Sequence, residues 1–141
     1  MNYSIEEIRN KLLEKGLKVT PQRLAILNAV YRLGSHPTAE NIIEYIRHNN
    51  PNIASGTVYK VLDTLIENKL VKKVYTDKDV MRYDGIVENH HHLYCVENDI
   101  IEDYTDEGLD HLLHEYFKDR KIKGFHISEI VLQIKGTFDK D

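Results

Sequence analysis

The chain has 141 residues, 41% of them hydrophobic, and no low-complexity run, so it has material for one ordinary domain or two small ones. No apolar run reaches the roughly 18 residues of a membrane span, and a single cysteine excludes an intramolecular disulfide and a four-cysteine zinc site within one chain. The net charge of −4 is unevenly spread: residues 1–82 carry +4, favouring a polyanion partner, while residues 83–141 carry −8 and six of the eight histidines, favouring cations.

The opening MNYSIEEIRNKLLEKG has neither a basic n-region nor an apolar h-region, so no signal peptide and no membrane association are expected, and the expected compartment is cytoplasmic. Within it Ile5, Ile8, Leu12 and Leu13 recur at helical spacing, with Gly16 as a stop. VTPQRLAILNAVYRLG predicts a second helix with Thr20 as N-cap, Pro21 in the first turn and Gly34 after the last. A third helix runs from Thr38 through Ile42, Ile43 and Ile46 and ends before NNPN. A fourth, SGTVYKVLDTLIENKL, has Val58, Val61, Leu62, Leu65 and Ile66 on one face.

LVKKVYTDKDVMRYD then alternates on either side of Asp77-Lys78-Asp79, which predicts a β-hairpin. Helices followed by a hairpin make a winged helix-turn-helix. Its fourth helix is the one that fits a DNA major groove. Ser55, Thr57, Tyr59 and Lys60 are expected to point outward from that helix toward bases and phosphates. Lys15 and Arg23 are candidate backbone contacts, with Lys72 and Lys73 in the hairpin. The plainer alternative packs Tyr59 against a neighbouring helix and leaves the lysines as ordinary surface.

After MRYDG the pattern changes. HHHLYCV and DIIEDY predict short strands, DEGLDHLLHEYFKDRK a helix and FHISEIVLQIKG a last strand. The expected class is α+β: an N-terminal winged helix-turn-helix over 1–82 followed by a small α/β unit over 87–141. A unit that small has little core of its own and is expected to dimerise. On a strand His90 and His92 share one face and His91 the other. Two imidazoles on one face make half of a transition-metal site, and Asp84 and Asp103 lie on segments that could flank it. A polar strand without a metal stays open on spacing alone.

In the order VTPQRLAIL, SHPTAENI, GTVYKVLDTL, RYD, HHHLYC and IIEDY, the chain resembles the ferric uptake regulator (Fur) family of metal-dependent repressors over nearly its whole length. The resemblance implies a homodimer that binds palindromic operator double-stranded DNA, with a hinge at 83–86 and a dimerisation and metal-sensing domain over 87–141. It also implies a regulatory metal site at His36, Asp84, His90, His92 and Asp103, holding Fe2+ or Mn2+, with Zn2+ able to enter in vitro. Aspartate at 103 is similar to the peroxide-sensing branch, in which iron-catalysed oxidation modifies a ligand histidine; the corresponding positions are His36 and His90. Most members hold a structural zinc in two CxxC pairs. Here the first pair reads Cys95-Val96-Glu97-Asn98 and the tail has no cysteine, so no such zinc is expected and Cys95 is expected to be a small buried hydrophobe. A second family metal site would fall on His91, Asp110 and Glu129, with Asn89 nearby, but the tail position is a carboxylate where members commonly have histidine, so solvated surface is the reading preferred there and the metal the alternative.

The leading expectation is therefore a DNA-binding repressor that senses hydrogen peroxide. A sensor of iron, manganese or zinc availability is its rival within the family. A non-haem metalloenzyme built on His90, His92 and a carboxylate is the rival of a different class. Five protein ligands leave such an enzyme little room for substrate, and the chain offers no evident nucleophile or acid–base pair.

Overall fold

Three of the four helices in the first part of the chain start on a side-chain hydroxyl. Helix α1 (Ile5–Glu14) has Ser4 and Glu7 in a reciprocal capping box, and α3 (Ala39–Arg47) has the same arrangement between Thr38 and Asn41. Helix α2 (Pro21–Leu33) is capped by Thr20, whose hydroxyl accepts the Arg23 amide at 3.2 Å, and Gly34 follows its last residue. Helix α4 (Ser55–Glu67) follows Ala54, and no side chain caps it. The computed structural model describes residues 2–140, which divide into two units between Val87 and Glu88.

In the first unit the apolar stripes of the four helices meet in one core. Ile8 and Leu12 from α1, Ile26, Leu27 and Val30 from α2, Ile42 and Ile46 from α3, and Val58, Leu62 and Leu65 from α4 are all buried there. Strands β1 (Lys72–Val74) and β2 (Arg82–Asp84) then pair antiparallel, Lys72 opposite Asp84 and Val74 opposite Arg82. Asp79 in the connecting turn has φ 54°, a left-handed conformation that aspartate tolerates. This is the winged helix-turn-helix expected from the periodicity. Strand β2 also bonds to the segment entering α3. The Tyr83 amide donates to the Pro37 carbonyl at 2.9 Å, and Arg82 bridges to Thr38.

The second unit contains β3 (His91–Cys95), β4 (Ile101–Tyr104), α5 (Glu107–Lys118) and β5 (Gln133–Gly136), in the sheet order β4-β3-β5. Strand β4 runs antiparallel to β3 and β5 parallel to it. Asp106 caps α5 by accepting the Leu109 amide at 3.0 Å. That backbone hydrogen bond, with one from the Tyr104 hydroxyl, holds the Asp106 carboxyl below its ordinary value. The last strand is shorter than FHISEIVLQIKG predicts. The β5 register starts with Gln133 opposite His92, so residues 125–131 run past the beginning of β3 and have no ladder to join. No residue of α5 is buried. No helix among the described residues is long and apolar enough to cross a membrane.

Gly85 follows β2 and lies against the buried ring of Tyr31: a Cβ added there would stand 2.7 Å from Tyr31 Cδ1. Gly85→Ala is expected to destabilise the metal-free protein by about 1–3 kcal/mol, the range for overpacking a filled site. Urea unfolding measures it, and an unchanged midpoint would show that Tyr31 can swing aside.

Candidate metal centre

The loop between α2 and α3 carries His36 in an uncommon backbone conformation. Gly34, Ser35 and His36 have φ values of 56°, 33° and 56° in succession. For residues other than glycine, left-handed φ costs roughly 1–2 kcal/mol each and persists where the surroundings impose it. Here β2 imposes it: Arg82 Nη1 donates to the His36 carbonyl at 3.0 Å, beside the Tyr83–Pro37 bond. Two residues further along the same strand Asp84 places Oδ2 3.5 Å from His36 Nε2. Its other oxygen, Oδ1, accepts the Ile86 amide at 2.9 Å. The carboxylate is thus held from behind and turned toward the imidazole.

In the second unit His90 and His92 converge on Asp103. In the register of β3 and β4, His92 lies opposite Asp103. His90 Nε2 is 3.1 Å and His92 Nε2 3.7 Å from Asp103 Oδ1, the two rings meet edge to face, and the ligand atoms lie within 4.8 Å of one another. His90 Nδ1 is 2.7 Å from the Glu88 carbonyl. A carbonyl oxygen only accepts, so Nδ1 carries the proton. In the neutral ring the Nε2 lone pair then faces a carboxylate oxygen. Two lone pairs at that distance need a proton or a cation between them. Ligands about 2.0–2.2 Å from a transition metal stand at comparable separations, and a second hydrogen bond from the far ring nitrogen is the usual support of a histidine ligand. Neutral imidazole with carboxylate suits manganese, iron or zinc, so the donors in both units fit such an ion.

His91 points the other way and is fully buried, not solvated surface. Its Nδ1 accepts the Leu132 amide at 3.0 Å, so Nε2 carries the proton and gives it to Asp110 Oδ1 at 2.6 Å. One imidazole thereby ties β3 to α5 and to the segment entering β5. Asp110 and Glu129, with Asn89 and His114, line a cleft of about 320 Å³ beside that tie.

Ser55, Tyr59 and Lys60 are exposed along α4 and Thr57 is half-buried, with Val58 between them facing the core. Lys15 is exposed at the end of α1. Arg23 is half-buried and its Nη1 donates to the Lys18 carbonyl at 2.7 Å. Cys95 is buried. Burial pushes its thiol up, but backbone amides of Asn98, Glu97 and Phe138 outweigh that and set it below its ordinary value. Arg82 and Gly85 were not among the residues expected from sequence. Their one signal is adjacency to Asp84 in RYDG.

The sequence profile of the ferric uptake regulator family matches residues 14–134. The peroxide operon regulator of Bacillus subtilis (strain 168) is 32% identical over 135 residues, covering 96% of this chain and 91% of that one. The ferric uptake regulation protein of the same strain is 30% identical over 128 residues, covering 87% and 86%. The structure of the Pseudomonas aeruginosa ferric uptake regulator with manganese superposes with a TM-score of 0.78 at 23% identity, over 94% of this chain and 98% of that one.

Replacing His91 by leucine leaves the Leu132 amide without its acceptor and is expected to cost about 1–3 kcal/mol in chelator-treated protein. His91→Asn keeps an acceptor near the Nδ1 position and is expected to recover part of the loss. Equal urea midpoints for both variants and the wild type would remove the tie from the account of stability.

Proposed function

The chain belongs to the ferric uptake regulator family of metal-dependent transcriptional regulators, and from that premise we propose a DNA-binding repressor that senses hydrogen peroxide through one regulatory metal site. Its ligands are His36 and Asp84 from the first unit and His90, His92 and Asp103 from the second. The observation that carries the proposal is the pair of imidazoles aimed at Asp103, with His36 and Asp84 prepared in the same way by backbone hydrogen bonds. Asp84 and His90 are six positions apart, so the linker between them spans at most about 20 Å when extended.

Side chains from both units that share one ion restrict the linker, and the arrangement in which all five donors converge is selected over the others. If that arrangement is the one that fits the operator, linkage requires operator DNA to tighten metal binding by the same factor. The protein acts in the cytoplasm as a homodimer on palindromic double-stranded DNA. Ser55, Thr57, Tyr59 and Lys60 face the groove, and Lys15 and Arg23 face the phosphates. The second unit supports the dimer: on α5 Leu109, Leu113 and Phe117 are only half-buried, and Leu112 and Tyr116 are 65% and 53% exposed.

Iron(II) in the site would supply cleavage of the peroxide O–O bond. His36 and His90 are the residues that take up the oxygen: a ring C–H and H2O2 become a ring C–OH and water. A modified imidazole is a poorer ligand, so the five donors separate and the operator is released. Asp103 and the similarity to a peroxide operon regulator support this chemistry. The comparable similarity to a ferric uptake regulation protein supports the alternative, a sensor of iron, manganese or zinc availability. Zinc can enter the same donors in vitro because it binds them more tightly than iron or manganese. A second ion among His91, Asp110 and Glu129 is a subsidiary proposal, and it requires the Nε2 proton of His91 to leave.

Peptide mass spectrometry separates the two sensors. Protein loaded anaerobically with iron(II) and given a small dose of hydrogen peroxide should gain one oxygen on the peptides carrying His36 or His90, while a manganese(II) control should not. Unmodified peptides with iron shown to be bound would leave a metal-availability sensor. Asp84→Ala and His92→Ala should abolish metal-stimulated DNA binding, and unchanged operator affinity would sink the ligand assignment. Lys60→Ala should lower the slope of log affinity against log salt by about one unit if it neutralises a phosphate; an unaltered slope would return Lys60 to ordinary surface.

A further inference from the structure

We propose that Arg82 is a positioning residue for the regulatory metal, acting through the backbone of His36. The proposal rests on the assignment of His36 as a ligand. Three observations point to it, all within the first unit. The peptide around His36 follows Gly34 and Ser35 through consecutive positive φ values, so the orientation of the His36 side chain is not set by any helix or strand of its own. Arg82 Nη1 donates to the carbonyl of this same residue at 3.0 Å, across 46 positions of sequence. Arg82 also bridges to Thr38 on the far side of the loop, and its neighbour Tyr83 bonds Pro37, so β2 grips the loop at three consecutive residues.

The same strand ends in Asp84, whose Oδ2 faces His36 Nε2. A guanidinium is suited to this task. It stays charged at any working pH, and its planar fork makes a directed, charge-assisted bond to a carbonyl. Arg82 therefore acts on the distance between two ligands through the backbone of one of them. It also links the His36–Asp84 pair to the β1–β2 hairpin within the first unit.

The test is a double-mutant cycle read by calorimetric titration of the full-length chain with manganese(II), with thermal unfolding of the metal-free variants as a control for folding. His36→Ala should weaken manganese(II) binding. Arg82→Met, which keeps the apolar stem and removes the donor, should weaken it by about 10–100-fold, the usual effect of losing a partner that orients a ligand. In the His36→Ala background Arg82→Met should have no further effect. Wild-type affinity in Arg82→Met, or a loss that simply adds to that of His36→Ala, would overturn the proposal and leave the ligand set intact. Wild-type affinity in His36→Ala would instead overturn the ligand assignment itself. Arg82→Lys replaces the fork by an ammonium and serves if Arg82→Met fails to fold. It should show a smaller loss that again vanishes without His36, and a loss that persists without His36 would count against Arg82.

Discussion

Successive side chains on a β-strand leave on opposite faces, and the site in the second unit depends on that constraint. At β3 the alternation gives adjacent histidines unlike tasks. His92 meets Asp103 across the ladder to β4, with His90 beside it, while His91 is turned to α5 and spends both ring nitrogens on hydrogen bonds. A slip of one residue in the register would exchange the two sets, so the packing that fixes β3 also fixes which imidazoles face Asp103. His91 contributes to that packing: it bonds to Asp110 on α5 and to the amide of Leu132 just before β5.

The first unit solves a related problem by other means. A side chain in a loop needs something to hold it, and the α2–α3 loop departs from ordinary backbone geometry at Ser35 and His36. The returning strand of the hairpin supplies the restraint with Arg82 and Tyr83 and then presents Asp84. The hairpin thus restrains the α2–α3 loop as well as forming the wing of the fold. Gly85 completes this arrangement because the chain leaving Asp84 passes too close to Tyr31 for any side chain.

The second unit stays ordered around β3 without cysteine pairs. The turn after β3 closes on itself: the Asp99 amide bonds the Cys95 carbonyl at 3.0 Å, and the Tyr94 hydroxyl bonds Asp99 at 2.5 Å. The Val96 amide reaches Gly136 beyond the end of the ladder. Backbone amides gathered around the Cys95 sulfur occupy the place where the family pattern would continue with a second cysteine. Hydrogen bonding closes this turn, and Leu112 and Tyr116 on α5 remain exposed.

Periodicity and capping are local properties, so the helices, the Thr20 cap and the hairpin around Asp77-Lys78-Asp79 were legible in the residues themselves. The grouping of His90 with His92 followed from the strand period alone. The end of the last strand did not, because β5 is as long as its register with β3 permits, and that register is a long-range pairing. Nor could the sequence separate His91 from its neighbours as a structural residue, since its partners lie 19 and 41 positions away. Arg82 and Gly85 were invisible for the same reason: their significance lies in what they touch, His36 and Tyr31, on segments far from them in the chain. By itself the sequence determined which residue types were available as ligands and on which elements they sit. Only tertiary packing decided how His36 is aimed, because a left-handed loop has no intrinsic preference strong enough to aim it.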